Sequence, residues 1–391
     1  MIAMVKKYSN LFSIIKTALI GSREYVTGGI DYSELFDISK KHQIVPLVFQ
    51  GLYKIFGDFE EKDRYYKQTI RLMSFDNNQQ RWLRKIQNVF LSNHIDYMLL
   101  KGASIKKIYS SSELRIMSDV DILIKEEQYP MIRELLLGIG LIEKQETDHE
   151  LIWASESGIA IELHKKLIPS YNDDYYAYYS DSWGKATVKQ GNHYAMSVED
   201  EYIYIFTHLT KHYRDGGIGL RHMIDVWYFR YCHPEMDMSY VETELYKLKL
   251  TTFHKNIWET VQVWFAGKEA TALTDHITER IIESGSYGIK DKCDAANAAR
   301  LSAMVSSVST AKAKHVAQLV FMPYSSMKKK YPFLRYVPFL LPVMWVVRWI
   351  QALLLKQNNI SRQMDRVHKI NKETVNAYNV ELEMVGLKFD L

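Results

Sequence analysis

Apolar residues recur every three or four positions through the first part of the chain. Leu11, Ile14, Ile15, Ala18 and Leu19 fall at that spacing and predict an amphipathic helix within Met1 to Ser22. Tyr32 to Lys41 and Val45 to Phe56 read the same way, with Pro46 suited to the first turn of its helix. A longer helix is predicted over Arg64 to Asn93, with Ile70, Met73, Trp82, Ile86, Val89 and Phe90 as its buried side. The period then shortens. Tyr97 to Leu100 is a brief apolar run ending in Lys101-Gly102, and Val120 to Ile124 is a second, β-branched one. Leu151 to Ala154 and Ile159 to Leu163 flank Ser-Glu-Ser-Gly, a hairpin signal. Ala103 to Tyr109 and Glu126 to Leu137 read as helices between these strands.

Helical spacing returns from Val198 and predicts helices over Val198 to Tyr213, Leu220 to Tyr231, Tyr240 to Leu248, His254 to Phe265, Ala270 to Ser284 and Ala295 to Ser309. Tyr171 to Tyr179 reads as a loop leaving the strand-rich block. The expected fold is α+β, a small mixed-sheet core flanked by helical regions. Its boundaries are a helical region at 1–95, the core at 96–190, a helical domain at 191–320 and a basic-aromatic segment at 321–391.

Composition narrows this only slightly. Hydrophobic residues make up 47% of the 391 positions, ample for a core, and global disorder is excluded. A net charge of +4 is small for this length, so a nucleic-acid surface would have to be found locally. Cys232 and Cys293 are the only cysteines, which supports neither a disulfide framework nor a zinc cluster and fits a cytoplasmic protein. Lys6 and Lys7 precede an apolar stretch, but Lys16 interrupts it and no small-residue cleavage site follows, so no signal peptide is expected. The apolar tract from Tyr331 to Leu355 holds Arg335, Arg348, Pro338 and Pro342, and falls short of the roughly 20 residues of a membrane span. With Lys328, Lys329 and Lys330 ahead of it, this tract has two readings: packing against the helical half, or peripheral contact with a membrane surface or a protein.

The chemistry concentrates in Leu99 to Ile124. Residues two apart on a strand share a face, so Asp119 and Asp121 point one way while Val120, Ile122 and Ile124 point the other. Two carboxylates so close repel each other, and a divalent cation removes the conflict. Mg²⁺ takes one or two carboxylates with waters and substrate phosphates. In Ile159 to His164 the same alternation sets Glu162 and His164 opposite Ile161 and Leu163. A charge within such an apolar strand is costly unless paired or metal-bound. Lys101, Gly102 and Ser104 lie where a strand turns into a helix, whose free N–H groups would face an anion such as a triphosphate.

Together these residues resemble the polymerase-beta-type nucleotidyltransferase superfamily, with Gly at a helix start, Asp-x-Asp, and a later strand carboxylate. Within it the chain resembles a poorly characterised bacterial branch. Lys101, Gly102, Arg115, Asp119, Asp121, Glu162 and His164 match, as do His208, Arg221 and Asp225. Ala103 stands where a second Gly or Ser is usual, and Glu162 where Asp is common. The resemblance implies a metal-dependent transfer of a nucleoside monophosphate from an NTP to an acceptor, a small molecule, a protein or a tRNA. Asp119, Asp121 and Glu162 would then hold Mg²⁺ or Mn²⁺. Gly102 and Ser104 would cradle the triphosphate, Lys101 and Arg115 would neutralise charge, and His164 would orient Glu162 or touch phosphate.

Other readings stay open beside these. Arg115 fits a surface charge equally well, and Arg221 with Asp225 fits a helical i, i+4 ion pair. His208 and His212 have metalloprotease spacing, but Leu209 replaces the required Glu. No Walker A or Gly-x-Gly-x-x-Gly pattern occurs. Two alternatives to an ordinary transferase are a catalytically silent nucleotide-binding or assembly protein and a toxin-like enzyme modifying tRNA or protein.

Overall fold

The computed structural model describes residues 4–22, 26, 29–147, 149–170, 172–288, 292–293, 295–296, 299, 321–322, 324, 327–328, 331–354 and 372–388. The chain forms two compact units, one of residues 1–213 with 218–287 and a second of 214–217 with 288–391.

In the first unit, short helices α1 (Met4–Lys7), α2 (Ser9–Ile20), α3 (Tyr32–Lys41) and α4 (Val45–Phe56) precede the long α5 (Lys62–Ser92). Two local signals set α3 and α4 to the residue. The Asp31 side chain caps α3 by accepting from the Glu34 amide, and Pro46 occupies the first turn of α4. The sheet then begins with β1 (Tyr97–Leu99), α6 (Lys101–Ile105), β2 (Asp119–Ile124) and α7 (Tyr129–Gly138). It continues through β3 (Ile142–Glu146), β4 (Glu150–Ala154), β5 (Ala160–His164), the single turn α8 (Asp173–Tyr176), β6 (Ala186–Gln190) and β7 (His193–Met196). Helices α9 (Val198–Arg214), α10 (Leu220–Cys232), α11 (Met238–Lys247), α12 (Thr251–Ala266) and α13 (Ala272–Ser284) follow. The fold is a mixed α+β one, a seven-stranded sheet in the order β3-β4-β5-β2-β1-β7-β6 with helical regions on either side in sequence.

One sheet face is the core. Val120, Ile122 and Ile124 of β2 and Ile161 and Leu163 of β5 pack against Leu83, Ile86 and Phe90 of α5 and Ile132 and Leu136 of α7. Burying such a side chain contributes about 1.5–3 kcal/mol, so this face fixes which way both strands present their polar residues. Ile70, expected on the buried side of the long helix, is 45% exposed. Tyr65, Thr69 and Asp76 are buried there instead, because that half of α5 packs on helices and a loop rather than on the sheet.

Three strands carried no usable sequence signal. Apart from one intermediate position each, β3 and β6 are exposed along their length, so no apolar alternation marks them, and β7 is only half-buried. The tyrosine-rich stretch includes the turn of α8 and packs inward: Tyr175 and Tyr179 are buried, and the Tyr179 hydroxyl meets Thr207 Oγ1 at 3.0 Å. Tyr171 lies outside the described residues, as do Lys329, Lys330 and most of the helix expected over Ala295 to Ser309. In the second unit, helices run over Leu341–Leu354 and Lys372–Met384. Among the described residues no helix is long and apolar enough to cross a membrane.

Candidate active site

The opposite face of β2 and β5 carries the charge. The two strands run parallel with Asp119 beside Ala160, Asp121 beside Glu162 and Leu123 beside His164. Cα partners in a ladder share a face, so Asp119, Asp121, Glu162 and His164 all project to one side. β4 adds a further acid, since Glu150 pairs with His164.

Asp121 is the hub. Its Oδ1 accepts from Lys101 Nζ at 2.7 Å and lies 2.7 Å from His164 Nε2. Glu162 Oε2 is 3.8 Å from the same imidazole nitrogen, and Glu150 Oε2 is 3.9 Å from Nδ1. Asp121, Glu162 and His164 each offer one ligand atom, and these atoms lie within 4.8 Å of one another. Asp119 stands one ladder step along, outside that trio.

Electrostatics separates the carboxylates. Burial raises Asp121, but the Lys101 charge and the His164 hydrogen bond outweigh it and hold the carboxyl below its usual range. Asp119 has no such partner. Burial, and then the Asp121 charge, raise it to about 6. Burial followed by repulsion from Asp121 and Asp119 pushes Glu162 up to about 8. Burial lowers the basicity of His164, assisted by the Lys101 charge. Three crowded carboxylates of raised or contested charge fit a divalent cation, and carboxylate oxygen suits Mg²⁺ and Mn²⁺ alike.

Lys101 reaches Asp121 through an unusual backbone. It has φ +48°, left-handed for a non-glycine residue, at the sharp entry into α6. That conformation costs roughly 1–2 kcal/mol. Gly102 follows with an ordinary φ, and its lack of a side chain serves packing: a Cβ there would sit 3.0 Å from Met117 Cβ and 3.4 Å from its Sδ. Ser104 does not face open space. Its hydroxyl donates to Glu201 of α9, which also pairs with Lys107 at 2.9 Å.

Arg115 is buried and holds Asp225 from both Nε and Nη2, Nε at 2.7 Å from Oδ1 and 3.0 Å from Oδ2 and Nη2 at 2.6 Å from Oδ2. Tyr109 donates to the same carboxylate at 2.8 Å. Arg221, one turn before Asp225, does not form the i, i+4 pair; its Nη1 donates to Ile116 O at 2.7 Å and Gln43 Oε1 at 2.8 Å. These bonds dock α10 against the segment that leads into β2.

A cavity of about 60 Å³ lies between Asp119, Asp121 and Lys101 on one side and His208 and His222 on the other. It has room for a few waters. His208 and His212 approach at 3.0 Å between their Nε2 atoms, and burial holds both, with His222, well below their ordinary basicity. Glu150, Glu201 and His222 carried no sequence signal of a role in the site. Only the alternation of Glu150 with the buried Leu151 and Trp153 on β4 places it on the charged face, and that requires knowing that β4 pairs with β5.

A profile described as uncharacterised nucleotidyltransferase matches residues 28–266, more than half of the chain. The chain belongs to this nucleotidyltransferase family. The match spans α3 through α12, so the sheet, the carboxylate face and the cavity-lining helices all lie inside it. No curated protein and no solved structure matches the chain.

Proposed function

We propose that this nucleotidyltransferase-family protein moves a nucleoside monophosphate from an NTP to a nucleophilic acceptor, in a divalent-metal-dependent reaction on the β2–β5 face. The observation that carries this is the register of Asp121 opposite Glu162, with Asp119 on the same face. Asp119 and Asp121 would hold the ions that bind the triphosphate, and Glu162 the acceptor side. Bound Mg²⁺ or Mn²⁺ supplies charge neutralisation at the phosphates and lowers the barrier to displacement at phosphorus. The acceptor oxygen bonds to the α-phosphorus, the bond to pyrophosphate breaks, and the acceptor proton passes to the carboxylate form of Glu162. Lys101, now paired with Asp121, would be the cation nearest the departing phosphates once Asp121 holds an ion. Arg115 and Asp225 keep β2 and α10 in position rather than touching phosphate.

The test is incubation of the full chain with α-labelled NTP, Mg²⁺ and candidate acceptors, read as labelled product and released pyrophosphate. Thermal shifts with NTP in Mg²⁺ against EDTA accompany it. Ligand at about 100 times its dissociation constant adds about 2.7 kcal/mol of stability. Equal shifts in both buffers, with no product, reject the proposal.

A second reading has its own observation. Lys101 already neutralises Asp121, as it would in a protein that binds nucleotide without turnover. Metal-independent NTP stabilisation without pyrophosphate release selects it.

A further inference from the structure

Away from the carboxylate face, α5 carries an unbalanced charge. From Arg64 to Ser92 it holds Arg64, Lys67, Arg71, Arg81, Arg84 and Lys85 against a single carboxylate, Asp76. The whole chain has a net charge of only +4, so the rest is close to neutral. Asp76 is no counterweight, because it is buried and bonded to Lys106 and to the Ser112 hydroxyl. Lys62 and Arg64, at the start of the helix, have carboxylate partners. Among the described residues none pairs with Lys67, Arg71, Arg81 or Arg84, all of them exposed.

The charges are also arranged. Lys67, Arg71, Ser74, Asn78, Arg81 and Lys85 recur every three or four residues and so share one helix face. From Lys67 to Lys85 this face is about 27 Å long. Its middle is concave: Arg71, Ser74, Asn78, Arg81 and Ser157 of the β4–β5 turn line an open groove of about 620 Å³. Asn78 Nδ2 donates to Ser157 Oγ at 2.9 Å and fixes that turn against the helix. The turn leads in three residues, about 10 Å of extended chain, to Ala160, the ladder partner of Asp119. The groove and the carboxylates thus lie on opposite faces of the sheet but near the same end of it, where β2 and β5 begin.

We infer that this face of α5 binds the phosphodiester backbone of a nucleic-acid strand, and that this strand is the acceptor delivered to the β2–β5 site. The second half of the inference rests on the transferase reading above; the binding itself does not. Unpaired arginines and amide and hydroxyl donors along a groove match a line of phosphates. A membrane surface is flat and requires several apolar side chains to insert, whereas Phe75 is the one apolar residue lining this groove.

The test uses the full chain and a labelled RNA hairpin with a single-stranded tail, with DNA of the same sequence as a second arm. Anisotropy is measured from 50 to 200 mM salt. The variant is Lys67→Gln/Arg71→Gln/Arg81→Gln, whose side chains are exposed and unpaired, so its melting temperature should equal that of the wild type. Wild-type binding to RNA, DNA or both is expected to weaken steeply with salt. The variant should bind at least tenfold more weakly, with a log–log salt slope smaller by about 2–3. Its KM for a nucleic-acid acceptor should rise with kcat unchanged. Equal binding by wild type and variant, or no nucleic-acid binding at 50 mM salt, overturns the inference. Capture by phosphatidylserine vesicles in place of nucleic acid does so too. An Mg²⁺-NTP thermal shift in the same preparation separates the two proposals. A shift without nucleic-acid binding removes this inference alone, and nucleic-acid binding without a shift removes only the acceptor role and the transferase reading.

Discussion

Lys101 Nζ lies 2.7 Å from Oδ1 of Asp121, so a lysine cation already occupies the carboxylate that a divalent ion would claim. Asp119, two residues earlier on the same strand face, has no comparable partner and feels mainly burial and repulsion.

The two aspartates should therefore respond oppositely to the same substitution. Asp121→Asn leaves Lys101 without its counter-charge and should cost on the order of 3 kcal/mol of stability. Asp119→Asn relieves repulsion and should leave stability unchanged or slightly raised. Both should abolish Mg²⁺-dependent NTP binding. Urea melts and thermal shifts on the two purified variants check this; equal destabilisation would contradict the asymmetry.

Glu162 makes stability depend on pH. Its ordinary value of 4.5 is raised to about 8 in the fold. Between these values the native protein holds a proton that the unfolded chain has released, so stability falls as pH rises. The expected slope between pH 6.5 and 8 reaches about 1.4 kcal/mol per pH unit. Buried histidines such as His42 and His254, lowered to about 4, act with the opposite sign and only below about pH 6.5. Denaturant melts across this range should show the slope in the wild type, its loss in Glu162→Gln, and its flattening by saturating Mg²⁺.

Arg115 and Asp225 should behave as one buried unit. Arg115→Met or Asp225→Leu alone strands a buried charge and should cost about 3–5 kcal/mol. The double variant should cost clearly less than the two together, giving a coupling energy within the 0.5–3 kcal/mol usual for contacting residues. Additive losses in a double-mutant cycle would show that the bidentate pair is not a unit.

Much of this molecule follows from near neighbours in sequence. A strand period of two sets Asp119 and Asp121 on one face, and Glu162 and His164 together on the polar side of theirs. Capping and proline chemistry bound α3 and α4 at the expected residues. Such features need only local periodicity, so they are written within a few consecutive positions.

What local pattern could not supply is which segments meet. Parallel pairing of β2 with β5, which sets Asp121 opposite Glu162, joins stretches about forty residues apart through burial of Val120, Ile122, Ile161 and Leu163 on the shared back face. The exposed strands β3 and β6 lacked any apolar face to announce them. Ion-pair choice was equally non-local: Arg115 fitted a phosphate contact or a surface charge, and Arg221 fitted Asp225. Docking of α10 under the entry to β2 gave Asp225 to Arg115, 110 residues away, and turned Arg221 to the Ile116 carbonyl. A buried charge takes the partner that tertiary packing brings within hydrogen-bond reach, and spacing along the chain does not encode that.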